Sequence, residues 1–549
     1  MKIDYLIIGA GQAGLVLKRF LTGGRSVLLD PNPGGYKIGE SVVPEQFAHP
    51  VMNALVPKVR ELPSYAAKLG TTFVSSDSLA SFPLPPTEAA LSMHVARSEL
   101  EQLMAREWNI EIARERVVEI DIAKKTVRTD KQTYEVERQI IDCSGPAMVV
   151  ASALGEVSSL WPVYAAWTYF DVVSSSDDRF WEAIRASGKK YLRYDAPRRR
   201  VLPGSEIDGW SPSRTTILTR LRDGVWTWQI PLFHANLLSF GVVSRHAPVS
   251  ADELLSTTAE HRSPNYTLAP RPQDNSSHYN RIYTREGFAR RARVAATMDY
   301  ILLADAFAFA DPVYSVGTAL AVNKAIELAS VLNGPGWTEE RRAAWCEAAD
   351  RLLARAVNAF NFWYSGEVLS NDDAAAEVLD NFLVGSAFQV AVAQNYGGMI
   401  RDVWLDGVPV GEREVPELDW VDDAHRGPFE ALLGVGAGAT LAGFRLAGAG
   451  QFSGGFKLRW EAEGRPDLTV VAAMGGDPTE KAYKRAGRIA ISFMNLKDRP
   501  YPFDAKVAAL LDAVLDRMGR RENDWLAMLE KGREREIPAG AASQEGTIA

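Results

Sequence analysis

The pattern of hydrophobic and polar residues at the N-terminus predicts a strand, a helix and a second strand. Residues 3–8 form a short apolar run, Ile-Asp-Tyr-Leu-Ile-Ile, which is typical of a buried strand. A glycine-rich turn follows, and a helical stretch then continues to about Leu21. The next apolar run extends from Ser26 to Asp30. This order of elements predicts a βαβ unit with parallel strands at the start of the chain.

The middle of the chain is rich in predicted strands. A helix from Ser98 to Glu107 precedes them, and a buried strand between Arg293 and Asp305 follows them, with a helix from about Thr318 to Leu332 and further helices to about Ala393. We therefore expect an α/β fold with an embedded sheet. The strands of that sheet are predicted at 163–172, 191–194, 214–220, 225–232 and 237–244, where residues alternate or are β-branched and aromatic.

The C-terminal part has a pattern of its own. Residues 401–428 are polar and acidic with prolines at 409, 416 and 428, and they predict a linker. Residues 429–530 predict an appended α+β domain, and the polar, Gly/Ala-rich residues 531–549 predict a disordered tail. Within the domain, strands are predicted near 440–445, 452–461, 467–473 and 487–494, and apolar residues at helical spacing from Val507 to Met518 predict an amphipathic helix.

Composition narrows the classes of function. A chain of 549 residues predicts more than one domain, and its net charge of −8 argues against a general nucleic-acid binder. Two distant cysteines and seven histidines without close spacing exclude a disulfide framework and a Cys-rich zinc site. No apolar run reaches the roughly 18 residues of a membrane span. We expect a cytoplasmic protein with no membrane span and no nucleic-acid partner.

The glycine-rich turn carries the spacing of a dinucleotide-binding fingerprint, Gly9-x-Gly11-x-x-Gly14. The first glycine allows a tight turn, the second lets the backbone approach a pyrophosphate, and the third lets the helix pack closely on the strand. The pyrophosphate would lie at the helix N-terminus, where free N–H groups favour an anion. Asp30, at the end of the second strand, is placed to accept hydrogen bonds from the adenosine ribose. The alternative is a glycine-rich turn that binds no ligand.

A second segment late in the chain favours FAD over a nicotinamide cofactor. Residues 302–312 end a predicted strand and precede a helix. Asp305 could bind the ribityl chain, and a helix N-terminus near Gly317 could face the isoalloxazine ring. A nicotinamide dehydrogenase does not need this second segment. The alternative is an ordinary strand, loop and helix with a capping aspartate.

Four segments together are similar to one family of flavoproteins. They are the glycine fingerprint, Lys37-Ile-Gly39-Glu40-Ser41-Val-Val-Pro44, Lys68-Leu-Gly70-Thr-Thr72-Phe73 and Trp226-Thr-Trp228-Gln-Ile230-Pro231. In this order they resemble the flavin-dependent halogenases of the para-hydroxybenzoate-hydroxylase-like FAD monooxygenase superfamily. The resemblance covers about the first 390 residues. It implies a Rossmann-like FAD-binding module over residues 1–400, with a substrate-side sheet inserted at about 160–290.

The resemblance also implies roles for single residues. Ser41 and Arg97 would contact FAD, Lys68 would be the essential relay lysine, and a halide would bind at Val316 and Gly317. Trp226, Trp228, Ile230 and Pro231 would line a tunnel between the flavin and the substrate. These roles have simpler alternatives. Trp226, Trp228 and Ile230 could be ordinary core residues on one strand face, and Lys68 could be a solvated surface residue, as most lysines are.

The reaction implied is that of an oxidoreductase in natural-product biosynthesis. A separate flavin reductase supplies reduced FAD, oxygen forms a C4a-hydroperoxide, and chloride or bromide becomes hypohalous acid. Lys68 then hydrogen-bonds the hypohalous acid or becomes a haloamine, and the halogen attacks an electron-rich aromatic substrate of the phenol, indole or pyrrole type. That substrate could be free or tethered to a carrier protein or a peptide.

Three positions depart from the family pattern. Val316 stands in Tyr314-Ser315-Val316-Gly317-Thr318 where the family usually has a hydroxyl residue, Val225 precedes the first tryptophan in place of glycine, and Ala304 also replaces a glycine. Two alternatives therefore stay open. One is an FAD-dependent aromatic hydroxylase that uses no halide. The other is a flavin- or partner-binding protein without turnover, whose C-terminal region is its working surface.

Overall fold

The computed structural model describes most of the chain in two compact units, Met1–Ala387 and Phe388–Ala549. The described residues are 1–43, 46–47, 49–83, 92–193, 211–315, 317–334, 336–365, 423–436, 438–452, 455–465, 468–474, 489–494, 506, 509, 510, 513, 514 and 517. The predicted halide residue Val316, most of the predicted linker and the predicted tail lie outside them. The mixture of helices with parallel and antiparallel strands confirms the α/β class.

The helices are named in chain order. They are α1 (Gln12–Phe20), α2 (Pro50–Asn53), α3 (Val56–Val59), α4 (Arg97–Glu107), α5 (Val149–Ala153), α6 (Asp177–Ser187), α7 (Ala251–His261), α8 (Gly317–Asn333), α9 (Glu339–Ser365) and α10 (Asp423–Leu433). Side-chain caps begin two of them, because Ser176 accepts a hydrogen bond from the N–H of Arg179 at α6 and Ser250 from that of Glu253 at α7.

The strands are also named in chain order. Those of the first unit are β1 (Lys2–Ile8), β2 (Ser26–Leu29), β3 (Ser41–Val42), β4 (Ala66–Ala67), β5 (Gly70–Val74), β6 (Ser78–Pro83), β7 (Met93–His94), β8 (Val117–Asp121), β9 (Thr126–Thr129), β10 (Thr133–Asp142), β11 (Val157–Ser159), β12 (Tyr164–Ser175), β13 (Lys190–Arg193), β14 (Thr215–Arg222), β15 (Val225–Leu232), β16 (Leu237–Ser244), β17 (Tyr266–Pro270), β18 (Tyr283–Glu286), β19 (Arg290–Ala292), β20 (Tyr300–Leu302) and β21 (Ala308–Phe309). Those of the second unit are β22 (Thr440–Leu441), β23 (Phe444–Phe452), β24 (Gly455–Glu461), β25 (Leu468–Met474) and β26 (Ile489–Met494).

The first sheet confirms the predicted βαβ unit. Its order is β2-β1-β10-β9-β8, with β20 beside β10, and the pairs of β1 with β2, β1 with β10 and β10 with β20 are parallel. The predicted strand between Arg293 and Asp305 is reduced to the three residues of β20. The carboxyl ends of parallel strands meet at one edge of a sheet, where ligands of open α/β sheets bind. The loops after β1, β10 and β20 therefore form one edge.

The largest sheet corresponds to the predicted embedded sheet. Its order is β13-β6-β5-β14-β15-β16-β12-β17, with β18 beside β12. The strands predicted over 225–232 and 237–244 are confirmed as β15 and β16, and every residue of both is buried. A strand buried on both faces packs against protein on each side. This sheet therefore lies inside the first unit.

Two smaller sheets complete the described part of the first unit. One has the order β3-β7-β4 and pairs Ser41 and Ala66 with His94. It brings Lys68, the residue after β4, close to the Ser41 strand. The other has the order β11-β19-β21.

The second unit contains a five-stranded antiparallel sheet, β22 to β26 in sequence order. Helix α10 packs against β23 and includes Pro428, a residue of the segment that the sequence predicted as a linker. Of the predicted amphipathic helix, Leu510 and Val514 are helical and fully buried.

The described part of the chain contains no helix long and apolar enough to cross a membrane. Within the same residues, no group of His, Cys, Asp and Glu side chains could hold a metal ion. Cys143 and Cys346 are free thiols, and the first is buried.

Candidate active site

The outer two glycines of the fingerprint are required by packing. Gly9 has φ of +102°, and a Cβ there would lie 2.6 Å from the carbonyl oxygen of Cys143 at the end of β10. A Cβ on Gly14 would lie 1.9 Å from the carbonyl oxygen of Gly9. Both distances are shorter than any real contact, so Gly14 allows the close packing of the turn and α1 that the sequence predicted, and Gly9 also allows the approach of the segment after β10.

Gly11 is different, because the protein leaves space around it. A Cβ there would have Oε1 of Glu101 as its nearest described neighbour, at 3.7 Å, followed by Nζ of Lys37 at 3.9 Å. Gly11 also precedes α1, whose first N–H groups have no partner within the helix. The missing side chain therefore leaves room for a ligand at a helix N-terminus, which is where a phosphate would bind.

The charges near Gly11 favour an anion. The carboxylate of Glu101 is 1% exposed and contacts two cations, Nζ of Lys37 at 2.6 Å and Nη2 of Arg97 at 3.2 Å. Within this cluster of three side chains, two positive charges face one negative charge, so the cluster itself carries one net positive charge. Arg97 also donates a hydrogen bond to the carbonyl of Ile38, at 3.3 Å. Its side chain thus connects α4 to the segment that leads into β3.

Asp30 lies beside the fingerprint at the end of β2. Its Oδ2 accepts a hydrogen bond from the N–H of Ala10 at 2.8 Å, and its Oδ1 accepts one from the N–H of Asn32 at 2.7 Å. The carboxylate therefore fixes the conformation of the glycine-rich turn. Each carboxylate oxygen has a second lone pair, so the ribose contact stays a compatible prediction.

Asp305 lies at the same sheet edge, in the short 3-10 turn Ala304–Ala306 that follows β20. Its Oδ1 is 3.9 Å from the place a Cβ on Gly317, the first residue of α8, would occupy. Burial raises the pKa of Asp305, while the positive charges of Arg97 and Arg285 lower it. Ala304 before it has φ of +52°, a left-handed conformation that costs least at glycine.

Several buried polar atoms around this edge have no hydrogen-bond partner among the described residues. They are both amide atoms of Gln12, Nε of Arg97, Oε2 of Glu40 and Oγ1 of Thr318. A buried polar group without a partner costs about 1–3 kcal/mol, and such groups therefore usually have one. The unpaired atoms come from α1, α4, the β3 segment and the start of α8. An extended dinucleotide such as FAD, with polar groups along its length, fits this arrangement.

The aromatic residues of β15 share one face, as the sequence predicted. Trp226, Trp228 and Ile230 are 1%, 6% and 7% exposed and pack in one hydrophobic cluster with Phe73 and Trp363. The indole N–H of Trp226 donates to the hydroxyl of Tyr364 at 3.0 Å, and that of Trp228 donates to Ser239 at 3.2 Å. Pro231 lies at the end of the strand, buried with the rest of it. A tunnel along this face stays a prediction.

A buried carboxylate that the sequence analysis did not single out lies next to this cluster. Tyr364 donates a hydrogen bond to Oδ2 of Asp311 at 2.6 Å, and the guanidinium of Arg245 lies 3.4 Å from the centre of the Tyr364 ring. Burial raises the pKa of Asp311 to about 6. The Asp311-Pro312 pair was visible in the sequence, but its partner Tyr364 is remote in the chain.

Lys68 is buried at 3% exposure, which is unusual for a lysine. Its Nζ donates a hydrogen bond to Oγ of Ser41 at 3.0 Å. Oγ of Ser41 lies 2.9 Å from Oγ1 of Thr216, which in turn lies 2.9 Å from Nε2 of His94. The sequence gave no signal for Thr216 or His94, because neither belongs to a recognised motif.

Thr216 connects this group to the tryptophan face. Leu218 pairs directly with Trp228 across β14 and β15, so their side chains lie on one face of the sheet. Side chains alternate along a strand, and Thr216, two residues before Leu218, therefore lies on that face too. Lys68 is thus joined through two hydroxyl groups to the face that carries Trp226 and Trp228.

The structure therefore assembles most of the predicted residues in two places. Gly9, Gly11, Gly14, Asp30, Arg97, Asp305 and Gly317 lie along the edge of the first sheet. Ser41 and Lys68 lie together, and their hydrogen bonds connect them to the sheet of Trp226, Trp228, Ile230 and Pro231. Glu40 and Gln12, absent from the prediction, add buried polar atoms at the first place.

No protein-family model matches the sequence, and no curated protein matches it. Solved structures do match. The crystal structure of halogenase PltM has a TM-score of 0.55 at 18% identity, covering 71% of this chain and 81% of that one. The flavin-dependent brominase Bmp2 has a TM-score of 0.51 at 17% identity, covering 70% and 94%. A flavoprotein/dehydrogenase from Cytophaga hutchinsonii has a TM-score of 0.51 at 16% identity, covering 69% and 92%.

A further structure shows PltM in complex with phloroglucinol and FAD, with a TM-score of 0.50 at 17% identity, covering 70% of this chain and 81% of that one. These likenesses show the fold. The chain has the fold found in FAD-dependent halogenases and related flavoproteins, as the sequence motifs predicted.

Proposed function

We propose that this protein is an FAD-dependent halogenase acting on an electron-rich aromatic substrate. The observation that carries the proposal is the buried Lys68, whose Nζ bonds the hydroxyl of Ser41, which in turn bonds the hydroxyl of Thr216 on the tryptophan face of the large sheet. A lysine in such a place has lost its hydration, and this arrangement suits a side chain that handles a small polar reactant. The shared fold with PltM and Bmp2 supports the same conclusion.

The residues at the edge of the first sheet would hold FAD. The N-terminus of α1 and the excess positive charge of Lys37 and Arg97 would bind the pyrophosphate near Gly11. Asp30 would accept from the adenosine ribose, and Asp305 would accept from the ribityl hydroxyls. The unpaired atoms of Gln12, Glu40 and Thr318 would find partners on the cofactor. Reduced FAD with dioxygen supplies the oxidant for the halide.

Chloride or bromide would bind at Val316 and Gly317. Backbone N–H groups at a helix N-terminus attract an anion whatever the side chain, so the valine does not remove the donors. Trp226, Trp228, Ile230 and Pro231 would keep the aromatic substrate apart from the flavin and exclude water.

Lys68 would transfer the halogen. A neutral amine reacts with hypohalous acid to give an N–halogen bond and water, and the aromatic ring then takes the halogen while its displaced proton returns to the amine. Alternatively, the ammonium group of Lys68 donates a hydrogen bond that holds hypohalous acid beside the ring. In both cases the lysine must lie at a fixed distance from the substrate. The burial of Lys68 restricts the movement of its side chain and so keeps this distance constant.

The proposal includes a separate flavin reductase, because the sequence shows no nicotinamide site, and a cytoplasmic location where reduced flavin is supplied. PltM in complex with phloroglucinol supports an electron-rich phenol as substrate class. The substrate could reach the site free or bound to a carrier protein. Identification of the natural substrate would distinguish these two possibilities.

A second candidate is an aromatic hydroxylase, and Val316 favours it. The halogenase family usually carries a hydroxyl residue at this position, and its loss removes one possible halide ligand. In such an enzyme the substrate would meet the flavin-derived oxidant directly, and no halide would be required.

One assay separates these functions. The protein is incubated in air with a flavin reductase, FAD and phloroglucinol, with bromide, with chloride or without halide, and products are identified by mass spectrometry. We expect a halogenated product only when halide is present. A hydroxylated product independent of halide would favour the hydroxylase. Failure of the purified protein to bind FAD would favour a binding protein without turnover.

A further inference from the structure

Four buried side chains form a continuous hydrogen-bonded chain: Lys68, Ser41, Thr216 and His94. The three contacts measure 3.0, 2.9 and 2.9 Å. The four residues are 3%, 5%, 1% and 0% exposed, so the chain lies inside the protein. Ser41 and His94 belong to the small three-stranded sheet, Lys68 directly follows its strand β4, and Thr216 lies on β14 of the large sheet. The chain therefore connects two sheets at the point where Lys68 is held.

Counting hydrogens gives the chain a direction. Ser41 and Thr216 each carry one hydroxyl hydrogen, and Nε2 of His94 either donates or accepts. If Nε2 donates to Thr216 and Thr216 donates to Ser41, the hydrogen of Ser41 has no acceptor among its described contacts. If Ser41 donates to Thr216 and Thr216 donates to Nε2, both hydrogens are used. Ser41 Oγ has a lone pair for Lys68 in both arrangements, so the use of both hydroxyl hydrogens is what favours the second.

The surroundings of His94 agree with a neutral acceptor. Burial and the positive charge of Lys68 hold its pKa well below the usual value, while the carbonyl of Pro231 raises it. A neutral imidazole has one N–H, and placing it on Nδ1 leaves Nε2 as the acceptor. The carbonyl of Pro231, which raises the pKa of His94, can only accept a hydrogen bond, although Nδ1 makes no hydrogen bond of full geometry with the described residues.

We propose that Thr216 and His94 are positioning residues for Lys68. His94, neutral and protonated on Nδ1, sets the direction of both hydroxyl groups, so that Ser41 presents a lone pair to Nζ of Lys68. One N–H of Lys68 is thereby fixed toward Ser41, and the rest of the group keeps a constant orientation toward the reactant. The catalytic consequence of this inference rests on the proposed function. The hydrogen-bond geometry itself is independent of that function.

Two matched pairs of variants test the direction. Thr216→Val removes the hydroxyl at nearly constant volume, while Thr216→Ser keeps it. His94→Leu removes the acceptor, while His94→Gln offers an amide oxygen in its place. We expect Thr216→Val and His94→Leu to lower kcat for halogenation roughly 10- to 100-fold, because a displacement of about 1 Å costs that much. Thr216→Ser and His94→Gln should retain most of kcat, and KM for the substrate should change little in all four.

A second readout needs no flavin. Crystal structures of the Thr216→Val and Thr216→Ser proteins give the distance from Nζ of Lys68 to Oγ of Ser41, and nitrogen-15 NMR gives the tautomer of His94, assigned by its loss in His94→Gln. We expect the Nδ1–H tautomer, a Lys68 displaced from Ser41 in Thr216→Val, and the original contact in Thr216→Ser. An Nε2–H tautomer, or Lys68 unmoved in Thr216→Val, would overturn the inference.

The outcomes separate the two proposals. If the wild type gives no halogenated product with either halide, the proposed function fails, and the crystal structures and NMR still decide the positioning. If Lys68→Ala abolishes halogenation while Thr216→Val keeps the full rate, the positioning inference fails and the function stands. A Thr216→Val protein that does not fold leaves His94→Leu and the tautomer to decide.

Discussion

Gly11 and Gly14 belong to the same fingerprint but have different surroundings. A side chain on Gly14 would collide with backbone of the preceding turn, whereas a side chain on Gly11 would meet only side-chain atoms at ordinary contact distances. The fold therefore requires Gly14, and the space beside Gly11 serves a ligand.

This difference predicts opposite effects of two similar substitutions. Gly11→Ala should leave the thermal midpoint of the apoprotein within about 1 °C, a shift of about 1 kcal/mol or less, and should weaken FAD binding at least tenfold. Gly14→Ala should lower the stability by several kcal/mol, since backbone must move. Thermal unfolding without flavin and FAD titration measure the two effects. Equal loss of stability in both variants would contradict the ligand role of Gly11.

The buried carboxylate of Asp311 predicts a pH dependence of stability. Its pKa is about 6 in the folded protein against 3.8 for the ordinary group, so the folded state binds more protons between these values. The free energy of unfolding therefore falls as pH rises from about 4 to 6, by about 3 kcal/mol from this group.

Asp311→Asn keeps a carbonyl acceptor for Tyr364 and removes the titration. Denaturant unfolding of both proteins at several pH values gives the difference between their free energies of unfolding. The contributions of the other titrating groups cancel in that difference. We expect the wild type to lose stability relative to the variant as pH rises through this range. Parallel curves would show that Asp311 has an ordinary pKa.

For Lys68, the sequence motif predicted that the residue has a function, but it did not predict the contacts that hold the side chain. Its flanking residues predicted a functional lysine, but its burial and its bond to Ser41 depend on the approach of two segments 27 residues apart. Thr216 and His94 are more remote, 175 and 122 residues from their partners Ser41 and Thr216. No local pattern distinguishes such residues from ordinary core positions.

At the scale of elements, the sequence predicted both β15 with its tryptophan face and the neighbouring strand β16, but it did not show that a glycine of β16 makes room for a tryptophan side chain. Gly241 on β16 pairs with Trp228, and a Cβ there would lie 2.2 Å from Cζ2 of the indole. The ring of Trp228 lies across the position where another residue would have a side chain.

Gly241→Ala should therefore displace Trp228 from the sheet. We expect a loss of about 1–3 kcal/mol from overpacking and a shift of tryptophan fluorescence. Gly436→Ala is the matched control, because a Cβ there meets nothing within 4 Å. An unchanged fluorescence spectrum and stability for Gly241→Ala would show that Trp228 does not occupy this position.

The strand predicted between Arg293 and Asp305 shows that an apolar run in the sequence does not determine the length of a strand. Only Tyr300–Leu302 pair with β10, because the strand needs to reach only the carboxyl end of its neighbour. Hydrophobic residues in a sequence indicate burial, but burial does not require a strand. Ala295 and Ala296, for example, are buried without belonging to a strand. Strand length depends on the partner, which the local sequence does not contain.

At the scale of the whole molecule, the first unit brings segments from four parts of the chain to one place. The parallel order of β1, β10 and β20 places the glycine fingerprint and the segment after Asp305 at one edge, and the ion pairs of Glu101 hold Lys37 and Arg97 near Gly11, although these segments are far apart in sequence. The fingerprint and motif order predicted this convergence. The unpaired polar atoms of Gln12, Glu40 and Thr318 became visible only with the complete fold.

The most direct test of the central proposal is the product formed from phloroglucinol with bromide in air, with FAD and a flavin reductase, by the wild type and by Lys68→Gln. The two bromine isotopes identify a brominated product in a mass spectrum. We expect this product from the wild type, a loss of at least about 100-fold in Lys68→Gln, and unchanged FAD binding in both. Equal bromination by the two proteins, or a hydroxylated product formed equally well without bromide, would contradict the assignment of a halogenase that acts through Lys68.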